Sequence, residues 1–511
     1  MKKISFSLTL ILFSSLFLFA QSEHTKIFTV FTSYGCGCTG SGGAPMTFTT
    51  NDQVVSALQQ ACPGVDFIVW EGTRSDAYDE IQMNKDSYDG VLIIGGIDGD
   101  YRLAFTGLPT IAVYNLWEFM NQPWDLFTTG KMPAEAILRG GSDYKDVKIL
   151  TAQLDRRNLC APSVSEKMFT DLVYKIKLIQ VIKDLKQTRV LMVKSAKDEI
   201  IAQVNYRGDI NQAFPPDHNE RYLQNFKEVF GAEIIPVEAE EFYQTYQKIN
   251  IRDAEEMADQ WIAGAQRVEA SRSEITKTAR GYLALEALRE KHDCNAVSTH
   301  IRSVTGSGEL KDRYNPGLGL ELGFKTRGIQ AVCQNYPDIL ISQVLAYQLT
   351  GRTSMLGDVI YDIYNDVEIV LHCGIPINPY GDERRLPYII RTHAESPVRD
   401  IPEEPGSSTG MTVEWPVGEP VTFWEIHSLN KKIRLHSGEI VNGYDIYTGG
   451  EDLYNAMCTA KIIARVDAKK IRDQHLPYLF GIHTNATLGD LRQQIKDIAV
   501  LLGFDIVESD K

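Results

Sequence analysis

Three features of the sequence predict an α/β chain that ends in an antiparallel β domain. Short apolar runs closed by glycine, such as "GVDFIVWEG" and "YDGVLIIGG", alternate with helix-period segments up to about Thr350. Beyond that point the alternation stops, and "VEIVLHCG", "PVTFWEI", "KKIRLHSGEIV" and "TAKIIARVD" follow one another with few helices between them. The chain has 511 residues, more than one ordinary core can use, so roughly two to four domains are expected.

The elements follow in order. "KIFTVFTSY" reads as a strand, a Gly-rich loop follows, and "NDQVVSALQQA" has the apolar spacing of a helix. "SDAYDEIQMNK" supplies a helix between the two Gly-closed runs already quoted. A long helical stretch from about Glu166 to Leu185 precedes a second unit with the same pattern. In that unit "TRVLMVKS" is a strand, "NERYLQNFKEVFG" a helix stopped by Gly231, and "AEIIPVEAEEF" another strand. Helices in "RDAEEMADQWIAGAQRV" and "EITKTARGYLALEALREKH" lead to the strand "NAVSTHI" and then to the apolar run Ile329 to Cys333. Pro337 and Asp338 open an amphipathic segment after it. The chain closes with "LGDLRQQIKDIAVLLG", a further amphipathic helix. Strands that alternate with helices imply parallel, doubly wound sheets. The expected architecture is therefore two tandem Rossmann-like α/β domains, residues 21–185 and 186–350, followed by a mainly antiparallel, barrel-like domain over 351–511.

Met1–Ala20, "MKKISFSLTLILFSSLFLFA", places Lys2 and Lys3 before an apolar stretch and Ala20 before a polar one, the order of a secretory signal peptide. The expectation is export, to the periplasm, with no membrane association once this segment is cleaved. A net charge of −15 without any run of Lys and Arg excludes a general nucleic-acid surface. Hydrophobic residues at 43% and charged residues at 23% mark a globular chain. Small neutral molecules or cations are the expected partners.

Several common chemistries lack their signatures. Gly95, Gly96 and Gly99 in "VLIIGGIDGD" do not have dinucleotide-binding spacing, and no G-x-S-x-G, P-loop or H-E-x-x-H occurs. Cys36 and Cys38 have no second Cys or His pair at ligand spacing to make a structural zinc site. Chemistry-bearing residues collect instead in the second half. Gln334 and Asn335 end the apolar run, Asp358 precedes a Tyr-rich stretch, His372 ends "VEIVL", and His483 sits in "LFGIHTNATLGD". Carboxylate and imidazole donors at strand ends suit Mn²⁺ or a similar divalent ion. Gln334 and Asn335 either face a ligand or pair loop backbone groups at the strand end. Asp338 reads as an ordinary acidic residue in a helix's first turn. Trp415 and Trp424 are candidates for stacking on a ring, with Trp424 better placed in the core. His393 and His427 read as surface or loop residues.

From Cys333 to Val359 the chain resembles the L-fucose isomerase family, which has a Glu and an Asn after the strand, a helix ending Gln-Leu-Thr-Gly, and an Asp before Val. Here these positions read Gln334, Asn335, Gln348-Leu349-Thr350-Gly351, Asp358 and Val359. "VLHCGIP", "EWPVGEPVTFWEI", "LHSGEIV" and "HTNATLGDLRQQIKDIAVLLGFDIV" are similar to that family's C-terminal barrel and its closing His-bearing strand and helix. The resemblance spans roughly residues 328–507. It implies a Mn²⁺-dependent aldose–ketose isomerisation of a small sugar through an ene-diol, and a homo-oligomer, trimer or hexamer. Carried over by position, Gln334, Asp358 and His483 are the metal ligands, with Gln334 and Asp358 in the proton-moving places. His372, Asn335 and Trp415 are assigned to substrate. Gln334 departs from the family Glu: an amide carbonyl can approach a metal but cannot take up a proton at ordinary pH. The competing expectation is a non-catalytic exported sugar-binding protein.

Overall fold

A computed structural model of the chain describes residues 24–31, 51–72, 74–94, 102–103, 106–113, 126–129, 149–151, 166–196, 198–200, 216–300, 314–392, 408–447, 458–478 and 482–511. The expected signal peptide Met1–Ala20, Cys36, Cys38, Gly95, Gly96, Gly99 and His393 lie outside the described residues.

The first sheet contains β1 (Thr25–Phe31), β2 (Val65–Val69), β3 (Gly90–Ile94), β4 (Thr110–Val113), β5 (Leu126–Thr129) and β6 (Ile149–Thr151) in the order β2-β1-β3-β4-β5-β6. Its first four strands are parallel and the last two pair antiparallel. Helices α1 (Asn51–Ala61), α2 (Arg74–Met83) and α3 (Glu166–Lys186) accompany it. Ile27, Phe28 and Val30 of β1 are all buried, as expected of a parallel strand covered on both faces.

A second sheet is wholly parallel. It runs β11-β10-β7-β8, from β7 (Arg189–Lys194), β8 (Glu233–Glu238), β10 (Ala296–Thr299) and β11 (Ala331–Val332). Its helices are α4 (His218–Phe230), α5 (Ala239–Lys248), α6 (Ile251–Gly264) and α7 (Arg272–Lys291). The strand read over "AEIIPVEAEEF" ends at Glu238, because Ala239 already starts α5. In α4, Tyr222, Phe226 and Phe230 repeat at four-residue spacing and are buried, and Gly231 takes the left-handed conformation that ends the helix. Short β9 (Arg267–Val268) joins β14 (Ile389–Thr392) and β15 (Thr409–Thr412) in a small separate sheet.

The last part is a closed barrel. Six strands, β12 (Ser354–Asp362), β13 (Val367–His372), β16 (Pro420–His427), β17 (Lys432–Ile440), β18 (Ala460–Arg465) and β19 (His483–Leu488), run β16-β19-β12-β13-β18-β17, and β17 pairs back onto β16. All six of these pairings are antiparallel. Closure leaves no edge among them, and β20 (Asp505–Glu508) adds to β17 in parallel.

Its lumen carries charge. His436 on β17 reaches Glu368 on β13 at 2.5 Å, and Arg434 on β17 donates to the Tyr361 hydroxyl on β12 at 3.1 Å. Neither pair of strands is adjacent in the sheet, so both contacts cross the interior. Arg434 also donates to Glu425 at 2.6 Å, and Arg434, Glu425, Glu368 and His436 are fully buried. His427, read as a surface or loop residue, is also buried, 3.4 Å from Glu425. Trp424 points to the other face, where its indole N–H donates to Thr487.

The longer helices that remain are α8 (Pro337–Thr350), α9 (Ala468–Tyr478) and α10 (Arg492–Leu502). Helix α8 is the junction of the molecule. Instead of one buried stripe it buries every residue from Pro337 to Ala346, because it packs on β12, β16 and β19 from one side and on α3 and β10 from another. Asp338 is therefore no ordinary first-turn acid. It accepts from the Tyr222 hydroxyl at 2.7 Å and from the Ser428 backbone N–H at 3.2 Å, tying α4, α8 and the end of β16 together. Gly351 ends α8 in the left-handed region, with φ of 72°.

Two outcomes are expected. Arg434→Ala leaves the Glu425 charge without its guanidinium inside the barrel and lowers unfolding free energy by about 4 kcal/mol, measured by urea denaturation. Burial first, opposed by Ser428, Tyr222 and His427, holds the Asp338 carboxyl above its ordinary range. The unfolded chain then ionises before the folded one does, so stability falls as pH rises from about 4 towards the raised folded value. Asp338→Asn removes that slope, which pH-dependent denaturation reads directly.

Candidate functional site

Strand β12 changes neighbours at one residue. Ser354 to Asp358 are in register with β19 and Asp358 to Asp362 with β13, so Asp358 alone faces both, opposite His483 on one side and Leu371 on the other. His483 is the first residue of β19 and His372 the last of β13. Strand ends meeting a strand middle bring three ligand-type side chains together. One donor atom from each of Asp358, His372 and His483 lies within 4.8 Å of the other two. His483 Nε2 is 2.9 Å from Asp358 Oδ1, and the two imidazole centroids are 6.2 Å apart.

The two amides arrive from the second sheet. β11 ends at Val332, and the next residues cross to the barrel before α8 begins. The backbone oxygen of Gln334 accepts from the Ser298 hydroxyl at 2.8 Å and from the Tyr336 N–H at 2.8 Å, which fixes this crossing. The Gln334 amide nitrogen then lies 3.4 Å from His372 Nε2, and Tyr336 packs its ring 4.6 Å from His483. Asn335 is fully buried, and among the described residues neither its amide nitrogen nor its carbonyl oxygen has a hydrogen-bond partner. An amide stripped of water and left unpaired costs about 1–3 kcal/mol, a cost a polar ligand beside it would remove.

The electrostatics set the protonation states. Burial pushes the Asp358 carboxyl up, but His483 and His372 outweigh it and hold the group below its usual range. Asp358 is therefore ionised at neutral pH, and 32% of its side chain stays open to solvent. His372 is pulled down by burial, yet Cys373 first, then Asp358 and Cys458, raise it to about 9. The Asp358 carboxylate, with the two imidazoles once an entering ion has displaced the His372 proton, is a donor set for a first-row divalent ion, and these atoms are close enough to share one.

Sequence reasoning placed ligands at the carboxyl ends of strands in an open sheet. The observed arrangement differs: Asp358 is mid-strand and His483 opens its strand, because the closed barrel brings residues together by register rather than at diverging ends. Trp415 is buried, and its indole N–H donates to the Pro376 carbonyl at 3.2 Å, so its polar edge is used within the fold.

Other groups near the cluster have little signal in the sequence. Glu321 lies in a π-type turn spanning Leu320–Phe324 and pairs with buried Lys325 at 2.9 Å, leaving its other carboxylate oxygen without a hydrogen-bond partner among the described residues. Burial raises the Glu321 carboxyl, opposed by Lys325 and by His372 nearby. A Cβ on Gly374 would come within 2.7 Å of Glu321 Cγ, so glycine at that position admits this side chain beside the strand carrying His372. Cys333 approaches His372 Nδ1 at 3.3 Å. A π-type turn and thiols far apart in sequence give no periodic pattern that marks them beforehand.

Gln334→Glu is expected to tighten Mn²⁺ binding about tenfold, the equivalent of about 1.4 kcal/mol, by adding a negative charge beside the cluster. Asp358→Asn is expected to weaken it by more than about 100-fold. Titration calorimetry of both variants checks this, and unchanged affinity in Gln334→Glu would place that side chain away from the ion. No family model matches this chain, and no curated protein matches it either.

Proposed function

We propose that this chain is a metal-dependent sugar isomerase similar to the L-fucose isomerases, interconverting an open-chain aldose and its ketose. The single observation that carries the reading is the approach of Asp358, His372 and His483 to within 4.8 Å of one another, with Gln334 beside them. Those are the positions at which the family resemblance puts the metal and the proton transfer.

Asp358, His483 and the Gln334 carbonyl would hold a divalent ion, with His372 alongside. Such an ion would supply Lewis-acid stabilisation of the negative charge that develops on the sugar's oxygens. The reaction moves one proton from the second carbon to the first and one from the second oxygen to the first. Asp358, ionised and partly open to solvent, can accept and return the carbon proton. Gln334 can orient an oxygen but cannot carry a proton, so a single carboxylate does what two groups share in the family. Asn335 offers an unpaired amide to a sugar hydroxyl.

The same resemblance implies that the two sheets stand as tandem Rossmann-like units ahead of the barrel and that the chain assembles as a trimer or hexamer. The charge-then-apolar order of residues 1–20 supports a leader that exports it to the periplasm. The neutral Gln334 favours one second reading, a sugar-binding protein without turnover.

The test is incubation of the purified protein with Mn²⁺ and a panel of aldoses in deuterated water. Ketose formation with deuterium on the first carbon, lost in Asp358→Asn, is expected. No ketose from any aldose, together with sugar binding that ignores metal, would replace isomerisation with binding.

A further inference from the structure

His372 has two faces. Its Nε2 lies 3.4 Å from the Gln334 amide, while its Nδ1 lies 3.3 Å from Cys333 Sγ. Behind Nδ1 is a pocket of thiols. Donor atoms of Cys333, His372 and Cys373 lie within 4.8 Å of one another, and all three residues are buried. Cys373 also interacts with Cys458, which is buried. Cys333 directly follows β11, Cys373 directly follows β13, and Cys458 lies just before β18. The barrel pairing of β13 with β18 brings Cys373 and Cys458 to one end of the wall, and the crossing from β11 adds Cys333.

We propose that Cys333, Cys373 and His372 Nδ1 form a second metal site, for a thiophilic divalent ion of the zinc class, with Cys458 as the nearest donor for a fourth position. The chemistry differs from that of the neighbouring cluster. Thiolates and one imidazole select zinc-like ions, whereas a carboxylate with imidazoles and an amide carbonyl suits manganese-like ones. Each coordinating thiol releases its proton to solvent as the ion enters, so binding tightens as pH rises. With both sites filled, the His372 ring would lie between them. An ion on Nδ1 would then fix the ring orientation that Nε2 presents to Gln334. The two sites share only His372, so each can fail without the other.

Cobalt titration of the full-length, reduced, metal-free protein tests this. Co²⁺ is expected to give an intense thiolate-to-cobalt charge-transfer band that Zn²⁺ removes stoichiometrically. The band is lost in Cys333→Ser and in Cys373→Ser and kept in Asp358→Asn. Alkylation of the wild type, mapped by mass spectrometry, is expected to show Zn²⁺ protecting Cys333 and Cys373 but not Cys62 or Cys294, and it reads the site even where a serine variant fails to fold. Absence of the band, its persistence in both serine variants, or protection confined to other cysteines would overturn the proposal.

Discussion

The register of β12 is the constraint on which the site depends. Asp358 is the one residue of that strand aligned with both neighbours, and a slip by a single position would send it to the other face of the wall. The barrel holds this register with charge as well as apolar packing. Arg434, Glu425, Tyr361, Glu368 and His436 meet across the lumen, and a one-residue slip of a strand carrying one of them would turn that side chain out of the lumen, away from its buried partner. The ion pairs give little net stability over apolar packing, but they separate the correct closure from its neighbours.

Helix α8 couples this barrel to the parallel sheet. It is buried on all sides through Ala346, and Asp338 at its start is bonded to α4 and to the end of β16. The four residues just ahead of it carry Cys333, Gln334, Asn335 and Tyr336, so the helix that joins the two units also sets where those side chains meet the barrel. The buried amide of Asn335, without a hydrogen-bond partner among the described residues, is a cost of that arrangement. Such a cost is commonly retained where a ligand relieves it.

Much of the fold was legible in the sequence. Alternating runs such as "TRVLMVKS" and "NERYLQNFKEVFG" have local signals, a period of two or of 3.6 and a glycine stop, and they fold as strand β7 and helix α4. The amphipathic reading of α8 failed because full burial comes from two partners that no local period encodes. His427 was misplaced for the same reason, since lumen and solvent faces of a barrel strand alternate alike. The grouping of Asp358, His372 and His483 came from resemblance, and it needs, besides the local β12–β13 pairing, the β12–β19 pairing of residues more than a hundred positions apart in sequence. The thiols around His372 had no such guide, because Cys333, Cys373 and Cys458 have no ligand-like spacing along the chain.

The central claim is that one cation is held on the barrel wall by Asp358, His483 and the Gln334 carbonyl, with His372 alongside. Anomalous diffraction from crystals of the full chain soaked in Mn²⁺ tests it most directly. The account predicts a single strong peak at bonding distance from the Asp358 carboxylate and the His483 imidazole, next to Gln334. A peak elsewhere with this cluster empty, or no peak at saturating Mn²⁺, would contradict it.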